Sequence, residues 1–263
     1  MPELPDVELF KRYVDSTALY QTIADIEVKY AGLLDGISAS RFRESLKGTR
    51  FRDTARHGKH LFIGNDNGQW VMLHFGMTGF LKYYKSPEKE PAHNRLLFKF
   101  DNDYHLTYDC RRKLGRISLT LAPETFVHNE ELGPDALLGE LDADRFAGLL
   151  HKSRAMIKSF LMNQRHIAGI GNIYSDEILF QAGIHPKVKS NQVNHDRAKK
   201  IHGAMNRVLK KAIATGANPD RFPSTFIIPH RREGEDCPQC NGKIKKATIA
   251  GRTGYFCPRC QKQ

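Results

Sequence analysis

Apolar residues fall in short runs through the first half of the chain and at helical spacing through the second. His60-Leu-Phe-Ile63, Trp70-Val-Met-Leu-His-Phe75, Phe80-Leu81, Leu96-Leu-Phe-Lys-Phe100, His105-Leu-Thr-Tyr108 and Ile117-Ser-Leu-Thr-Leu121 have the length of strands. Asp66-Asn67-Gly68 and Asp101-Asn102-Asp103 separate them as turns. Many short strands with few helices predict an antiparallel β-sandwich. One helix precedes it: Val7, Phe10 and Val14 recur at helical spacing, with Pro5 in the first turn and Asp6 and Glu8 at the favourable end of the macrodipole.

The pattern changes near Glu131-Leu-Gly-Pro134. From Asp142 the period is helical, with Phe146, Leu149 and Leu150 on one face and Ile157, Phe160 and Leu161 on another. Further helices are predicted from about Asn172 to Phe180 and from about Asn194 to Thr215. The expected class is therefore α+β. Residues 1–131 form the sandwich, 132–141 a linker, 142–230 a helical domain and 231–263 a small terminal module.

That terminal module is legible in its cysteines. Cys237-Pro-Gln-Cys240 and Cys257-Pro-Arg-Cys260 are two C-x2-C pairs separated by 16 residues, spacing that suits a closed tetrathiolate zinc site. One structural Zn2+ is expected, with a hairpin between the pairs turning near Ala250-Gly251-Arg252-Thr253-Gly254. Four thiolates leave no open position for a metal-bound water, which argues against catalytic zinc. Cys110 stands alone and reads as a small buried hydrophobe.

Charge adds a partner. The 263 residues carry a net +12, unevenly: residues 1–150 hold 20 Lys/Arg against 22 Asp/Glu, and residues 151–263 hold 21 against 7. A one-sided basic half points to a polyanion, most simply nucleic acid. Charge alone does not separate DNA from RNA or an anionic membrane surface. No apolar run approaches the roughly 20 residues that span a bilayer, and the acidic, Pro-containing start does not read as a signal peptide. The expectation is a cytoplasmic monomer with no membrane partner.

Candidate chemistry begins at the second residue. Removal of Met1 leaves Pro2 with a free secondary amine, which can attack an electrophilic carbon and form a Schiff base. Glu3 follows directly as a proton donor or acceptor. Gly169-Ile-Gly171 precedes Asn172 at a helix start, where glycines let backbone amides approach a phosphate and Asn172 adds a side-chain donor. Arg252, at the hairpin turn in a basic half, is expected to contact phosphate.

Together these features resemble the formamidopyrimidine-DNA glycosylase/endonuclease VIII family. The anchors are Met1-Pro-Glu-Leu-Pro5, Gly58-Lys59, His74-Phe-Gly-Met-Thr-Gly79, Leu132-Gly-Pro134, Gly169-Ile-Gly-Asn-Ile-Tyr174 and the cysteine quartet, in order over almost the whole chain. The resemblance implies a β-sandwich joined to a helix–two-turn–helix domain with a zinc finger. It implies a bifunctional DNA glycosylase/AP lyase acting on damaged double-stranded DNA. A flipped nucleotide would be attacked at C1′ by Pro2, with Glu3 shuttling protons and β,δ-elimination following. Lys59 would be the second essential cation, Asn172 and Arg252 would clamp flanking phosphates with help from Lys158, and Met77 and Arg112 would fill the vacated stack.

Departures from the family pattern bear on the lesion. Leu114 stands where many members place a wedge Phe, Asp6 replaces a more usual Glu, and Gly216–Phe222 is too short for the loop that covers 8-oxoguanine in some members. Ring-opened purines, oxidised pyrimidines and hydantoins fit the sequence equally. The rival readings are a catalytically inactive zinc-dependent protein that binds damaged DNA, and an RNA-binding zinc-ribbon protein. A pure binder would not need Pro2, Glu3 and Lys59 together.

Overall fold

The computed structural model describes all of residues 1–263, which divide into two compact units. Met1–Pro2 and Asp6–Glu131 form one; Glu3–Pro5 and Leu132–Gln263 form the other.

The first unit is the expected antiparallel sandwich. Its strands are β1 (Ile23–Val28), β2 (Phe51–His57), β3 (His60–Asn65), β4 (Trp70–His74), β5 (Gly79–Tyr84), β6 (Asn94–Phe100), β7 (His105–Cys110) and β8 (Arg116–Thr120). One sheet has the order β1-β6-β7-β5 and the other β2-β3-β4-β8. Helices α1 (Leu4–Thr17), α2 (Ala39–Leu46) and α3 (Pro123–Asn129) accompany them. The core joins Val7 and Val14 of α1 to Phe42, Phe51, Leu61 and Phe98, and Cys110 is buried in it as a small apolar residue. In the second sheet Gly64 pairs with Trp70, and a Cβ at Gly64 would come within 3.1 Å of the indole, so the strand is thin where the chain's one tryptophan lies over it.

β1, α2 and β2 were not evident in the sequence. The strand Phe51-Arg-Asp-Thr-Ala-Arg-His57 carries two arginines and an aspartate, and its pairing with β3 shifts register between Phe51 and Asp53. That irregularity destroys the two-residue alternation a half-buried strand normally displays.

The second unit holds α4 (Ala143–His151), α5 (Ile157–Met162), α6 (Asn172–Ala182), α7 (His195–Ala214) and the hairpin β9 (Lys245–Ile249)–β10 (Arg252–Phe256). Asp142 and Asn194 cap α4 and α7 by accepting from the amides of Arg145 and Arg197 at 2.7 and 2.9 Å. Gly183 ends α6 with φ 69°, a left-handed conformation that glycine adopts without a Cβ penalty. Phe146, Ile157, Phe160, Ile178, Ile201 and Val208 meet in the core.

Residues 132–141 are not a free linker. Asp135 accepts from the amides of Leu137 and Leu138, Ala136 donates to the carbonyl of Ala168, and Ala136 and Leu141 are buried in this unit's core. The Gly-Pro signal marks a tight turn whose carbonyls and amides are used.

Candidate active site and nucleic-acid interface

Glu3 determines the local geometry of the chain's start. Its buried carboxylate accepts from three amides at the beginning of α6: Gly171 at 2.7 Å, Ile173 at 2.9 Å and Tyr174 at 3.3 Å. An anion here satisfies amides that the helix leaves without partners and lies at the positive end of its dipole. The glycines exist for this fit. A Cβ on Gly171 would lie 2.4 Å from the Glu3 carboxyl carbon, and one on Gly169, at φ 112°, would lie 2.5 Å from a Leu4 methyl. The Leu4 amide completes the junction by donating to the Gly169 carbonyl at 3.0 Å. The sequence reading, in which these glycines open amides to a phosphate, is therefore corrected: the chain's own Glu3 takes the amides.

Asn172 is the first residue of α6 and is half-buried, with a buried side-chain Oδ1 that has no protein partner. Its backbone carbonyl is heavily used, accepting from Lys158 Nζ at 3.0 Å, Ser175 Oγ at 3.3 Å and Arg231 at 3.4 Å.

Lys158 differs from expectation. It is 0% exposed, and its ammonium donates to Asn172 O, to Ser175 Oγ at 2.9 Å and to Asp176 Oδ1 at 2.6 Å. Burial lowers its pKa from the ordinary lysine value, and the Asp176 carboxylate opposes that shift. All three ammonium hydrogens are spent inside the protein, so Lys158 is removed from the phosphate-contacting set.

In the first unit Lys59 follows Gly58, at φ 55°, in the two-residue turn between β2 and β3. It is only 8% exposed, unlike a solvated strand-edge lysine. Arg56 donates to the Gly58 carbonyl at 3.4 Å and pairs with Glu8 at 3.0 Å, bracing the turn from α1. His74 lies within electrostatic reach of this cation. Burial first, then Lys59 and Arg116, pull its pKa down to about 4, and burial with His74 pulls His60 down to about 3. Two neutral imidazoles, 5.1 Å apart, therefore stand close to Lys59 at neutral pH. They line a concavity of about 550 Å³ with Asp35, Leu114, Arg116 and Glu130. The alternation of β3 and β4 held a signal for this pair, because His60 and His74 are register partners.

Met77 and Arg112 lie on two exposed turns of the same unit that touch. The Arg112 amide donates to Thr78 Oγ1 at 3.1 Å, and a Cβ on Gly76 would lie 2.3 Å from the Leu114 carbonyl. Phe75 is buried in the sandwich while Met77 is 40% and Leu114 52% exposed. Met77 is therefore not packed into the sandwich; two apolar tips and an exposed arginine are presented together.

The terminal cysteines meet a zinc ion's demands. Cys237 and Cys260 sulfurs are 3.7 Å apart, Cys240 and Cys257 3.6 Å, and all four lie within 4.8 Å of one another. Tetrahedral thiolates on one Zn2+ stand about 3.8 Å apart. Gly242 is needed beside them, because its Cβ would come within 3.2 Å of two of the sulfurs. The hairpin turn is tighter than expected: Ala250 and Gly251 alone form it, at φ 46° and 74°, and Arg252 is the exposed first residue of β10.

Comparison with known proteins decides what this arrangement belongs to. The formamidopyrimidine-DNA glycosylase N-terminal domain matches residues 1–117, its H2TH domain residues 132–224, and the zinc finger found in FPG and IleRS residues 234–263. A formamidopyrimidine-DNA glycosylase of Desulfitobacterium hafniense is 31% identical over 275 residues, covering 99% of this chain and all of the relative. The chain belongs to the formamidopyrimidine-DNA glycosylase family. Among solved structures, a Lactococcus lactis Fpg with a FAPY-dG containing DNA matches with a TM-score of 0.91 at 29% identity, over 99% of this chain and all of that one. The same protein with an abasic site containing DNA matches at a TM-score of 0.90, again at 29% identity, 99% of this chain and all of that one. This family member is accordingly a base-excision-repair DNA glycosylase with AP lyase activity, with one structural zinc in its finger.

Proposed function

We propose that Pro2, freed by removal of Met1, is the nucleophile of this glycosylase/lyase, with Glu3 and Lys59 as its essential partners. In the chain as translated the Pro2 nitrogen is a peptide nitrogen and cannot attack. Once it is an amine, its lone pair adds to C1′ of a flipped nucleotide, the bond to the damaged base breaks, and the base leaves with a proton; the proline nitrogen then gives up its own proton, and its lone pair expels the ring oxygen, which takes up a proton as the C1′–O4′ bond breaks. The resulting iminium acidifies C2′. Loss of that proton expels the 3′ phosphate, and a second elimination expels the 5′ phosphate.

The observation that carries this reading is the fixation of Glu3. Three amides of one helix start hold the carboxylate next to the nucleophile, so the group that carries a proton to the sugar oxygen cannot drift. Lys59, on its braced turn, supplies a buried positive charge for the lesion and its phosphate. Asn172 and Arg252 hold flanking phosphates. Met77, Arg112 and Leu114 fill the gap left by flipping. A protein that only bound DNA would need neither an N-terminal proline nor a caged Glu3. No helix is long and apolar enough to cross a membrane; the enzyme works as a monomer on damaged double-stranded DNA in the cytoplasm, associated with the nucleoid in a bacterial cell.

The test is borohydride trapping on an abasic-site duplex, with mass mapping of the adduct. A processed sample is expected to give one covalent species on Pro2, and a sample that retains Met1 is expected to give none. A cross-link mapped to a lysine, or no adduct from processed protein, overturns the assignment.

A further inference from the structure

Asp176 is the one carboxylate that gathers three separate parts of the second unit. Its Oδ1 accepts from Lys158 at 2.6 Å; its Oδ2 accepts from the Arg231 guanidinium at 2.9 and 3.2 Å and from the Tyr255 amide at 3.2 Å. Asp176 and Lys158 have no exposed surface, and the Arg231 side chain is largely covered. Lys158 comes from α5, Asp176 from α6, Arg231 from the segment before the zinc knuckle and Tyr255 from β10. The Arg231 guanidinium also lies over the Tyr255 ring, 5.1 Å from its centroid. Gly254 lets the strand come this close: a Cβ there would sit 3.2 Å from Lys158 Cε and 3.3 Å from Asp176 Oδ1.

Stability alone does not account for such a cluster. Two cations and one anion are desolvated together, and buried ion pairs are commonly no more stabilising than apolar residues of the same volume. Directional hydrogen bonds add geometry. The zinc hairpin is short, metal-stapled and closed by a two-residue turn, so holding Tyr255 also holds Arg252, three residues along the same strand. At the other end, the two cations that Asp176 gathers both donate to the backbone carbonyl of Asn172.

We propose that Asp176 is a positioning residue for DNA binding, a buried bridge that sets the spacing between Arg252 on the zinc hairpin and Asn172 at the start of α6. The proposal rests on the reading that those two residues hold phosphates of the DNA. It assigns to Lys158 and Arg231 the task of arranging the phosphate ligands rather than touching DNA themselves.

The experiment measures steady-state kinetics and the salt dependence of affinity for an abasic-site duplex. It compares Asp176→Asn, Arg231→Met and the double variant Asp176→Leu/Lys158→Met, which removes the fully buried pair and leaves Arg231 only its hydrogen bond to the Asn172 carbonyl. Each is first shown to hold one zinc and to melt cooperatively. KM is expected to rise about tenfold with kcat changed much less. The slope of log affinity against log salt is expected to fall by about one phosphate contact. A merely structural role would lower the melting temperature and leave KM and slope unchanged in the folded fraction. Folded, zinc-replete Arg231→Met and double variants with wild-type KM and slope overturn the proposal, even if Asp176→Asn fails to fold. Arg252→Ala and Asn172→Ala are run beside them. If those two leave affinity and slope intact, it is the phosphate reading that fails; if they weaken binding while the Asp176-network variants do not, only the positioning role fails.

Discussion

At the scale of single residues, the contact between Glu3 and Gly171 is the tightest constraint around the proposed chemistry. A methyl group at Gly171 has nowhere to go except into the Glu3 carboxyl, 2.4 Å away. Gly171→Ala is expected to leave the fold cooperative while cutting single-turnover base excision by about a hundredfold or more, because the proton carrier and the adjoining nucleophile are displaced by an ångström or so. Single-turnover kinetics with a saturating lesion duplex reads this directly, and a variant with wild-type rate would show that Glu3 placement is not limiting. Both glycines were recognisable as required in the sequence, but their purpose was not. The partner that forbids a side chain is 168 positions away in the chain, and nothing local in Gly169-Ile-Gly171 points to it. Lys158 was misread for the same reason. Between Ile157 and Ser159 it resembles a solvated helix lysine, and only the fold brings Asp176 and Arg231 to it.

At the scale of elements, legibility followed periodicity. The long helix α7 was visible because Ala198, Ile201, Met205, Val208 and Ala212 line one face, all buried. The C-x2-C spacing gave away the zinc knuckles because tetrahedral coordination permits few loop lengths. The irregular β2 and the short α2 carried no such regularity. Much of the zinc module's order rests on its metal. Its apolar cluster is small, with Ile244 and Ile227 beside the cysteines and Phe180, too little for an independent core. Chelation, or Cys257→Ser, is therefore expected to abolish amide-exchange protection across β9 and β10 while α7 stays protected. DNA affinity is expected to fall about tenfold or more with the loss of an ordered Arg252. Affinity that survives complete zinc removal would contradict the assignment of Arg252 to phosphate.

At the scale of the whole molecule, buried ionisable groups give stability an uneven dependence on pH. Glu177 is fully buried in α6, accepts from Gln181 at 2.7 Å and from the Ile228 amide at 2.9 Å, and has its pKa pushed up by burial from 4.5 to about 7. A raised carboxyl pKa means that the folded state holds a proton the unfolded chain releases. Its contribution is complete below about pH 4.5 and is lost as pH rises through about 7, at most about 3 kcal/mol. His60 and His74 act in the opposite direction. Their depressed values contribute stability above pH 6.5 that is lost as pH falls towards 4 and 3. The two trends overlap, so the comparison is with Glu177→Gln. Between about pH 5 and about pH 8, the wild-type urea midpoint is expected to fall relative to that variant. Parallel profiles would show that Glu177 is ionised in the folded protein throughout.

The solitary indole of Trp70, seated over Gly64 in the sandwich, is an optical reporter for the first unit alone. The second unit contains no tryptophan, so an emission-detected melt follows the sandwich, whereas release of zinc to a chromophoric chelator follows the finger. Coincidence of the two curves would mean that sandwich and finger unfold as one cooperative body, and separation would give each a transition of its own.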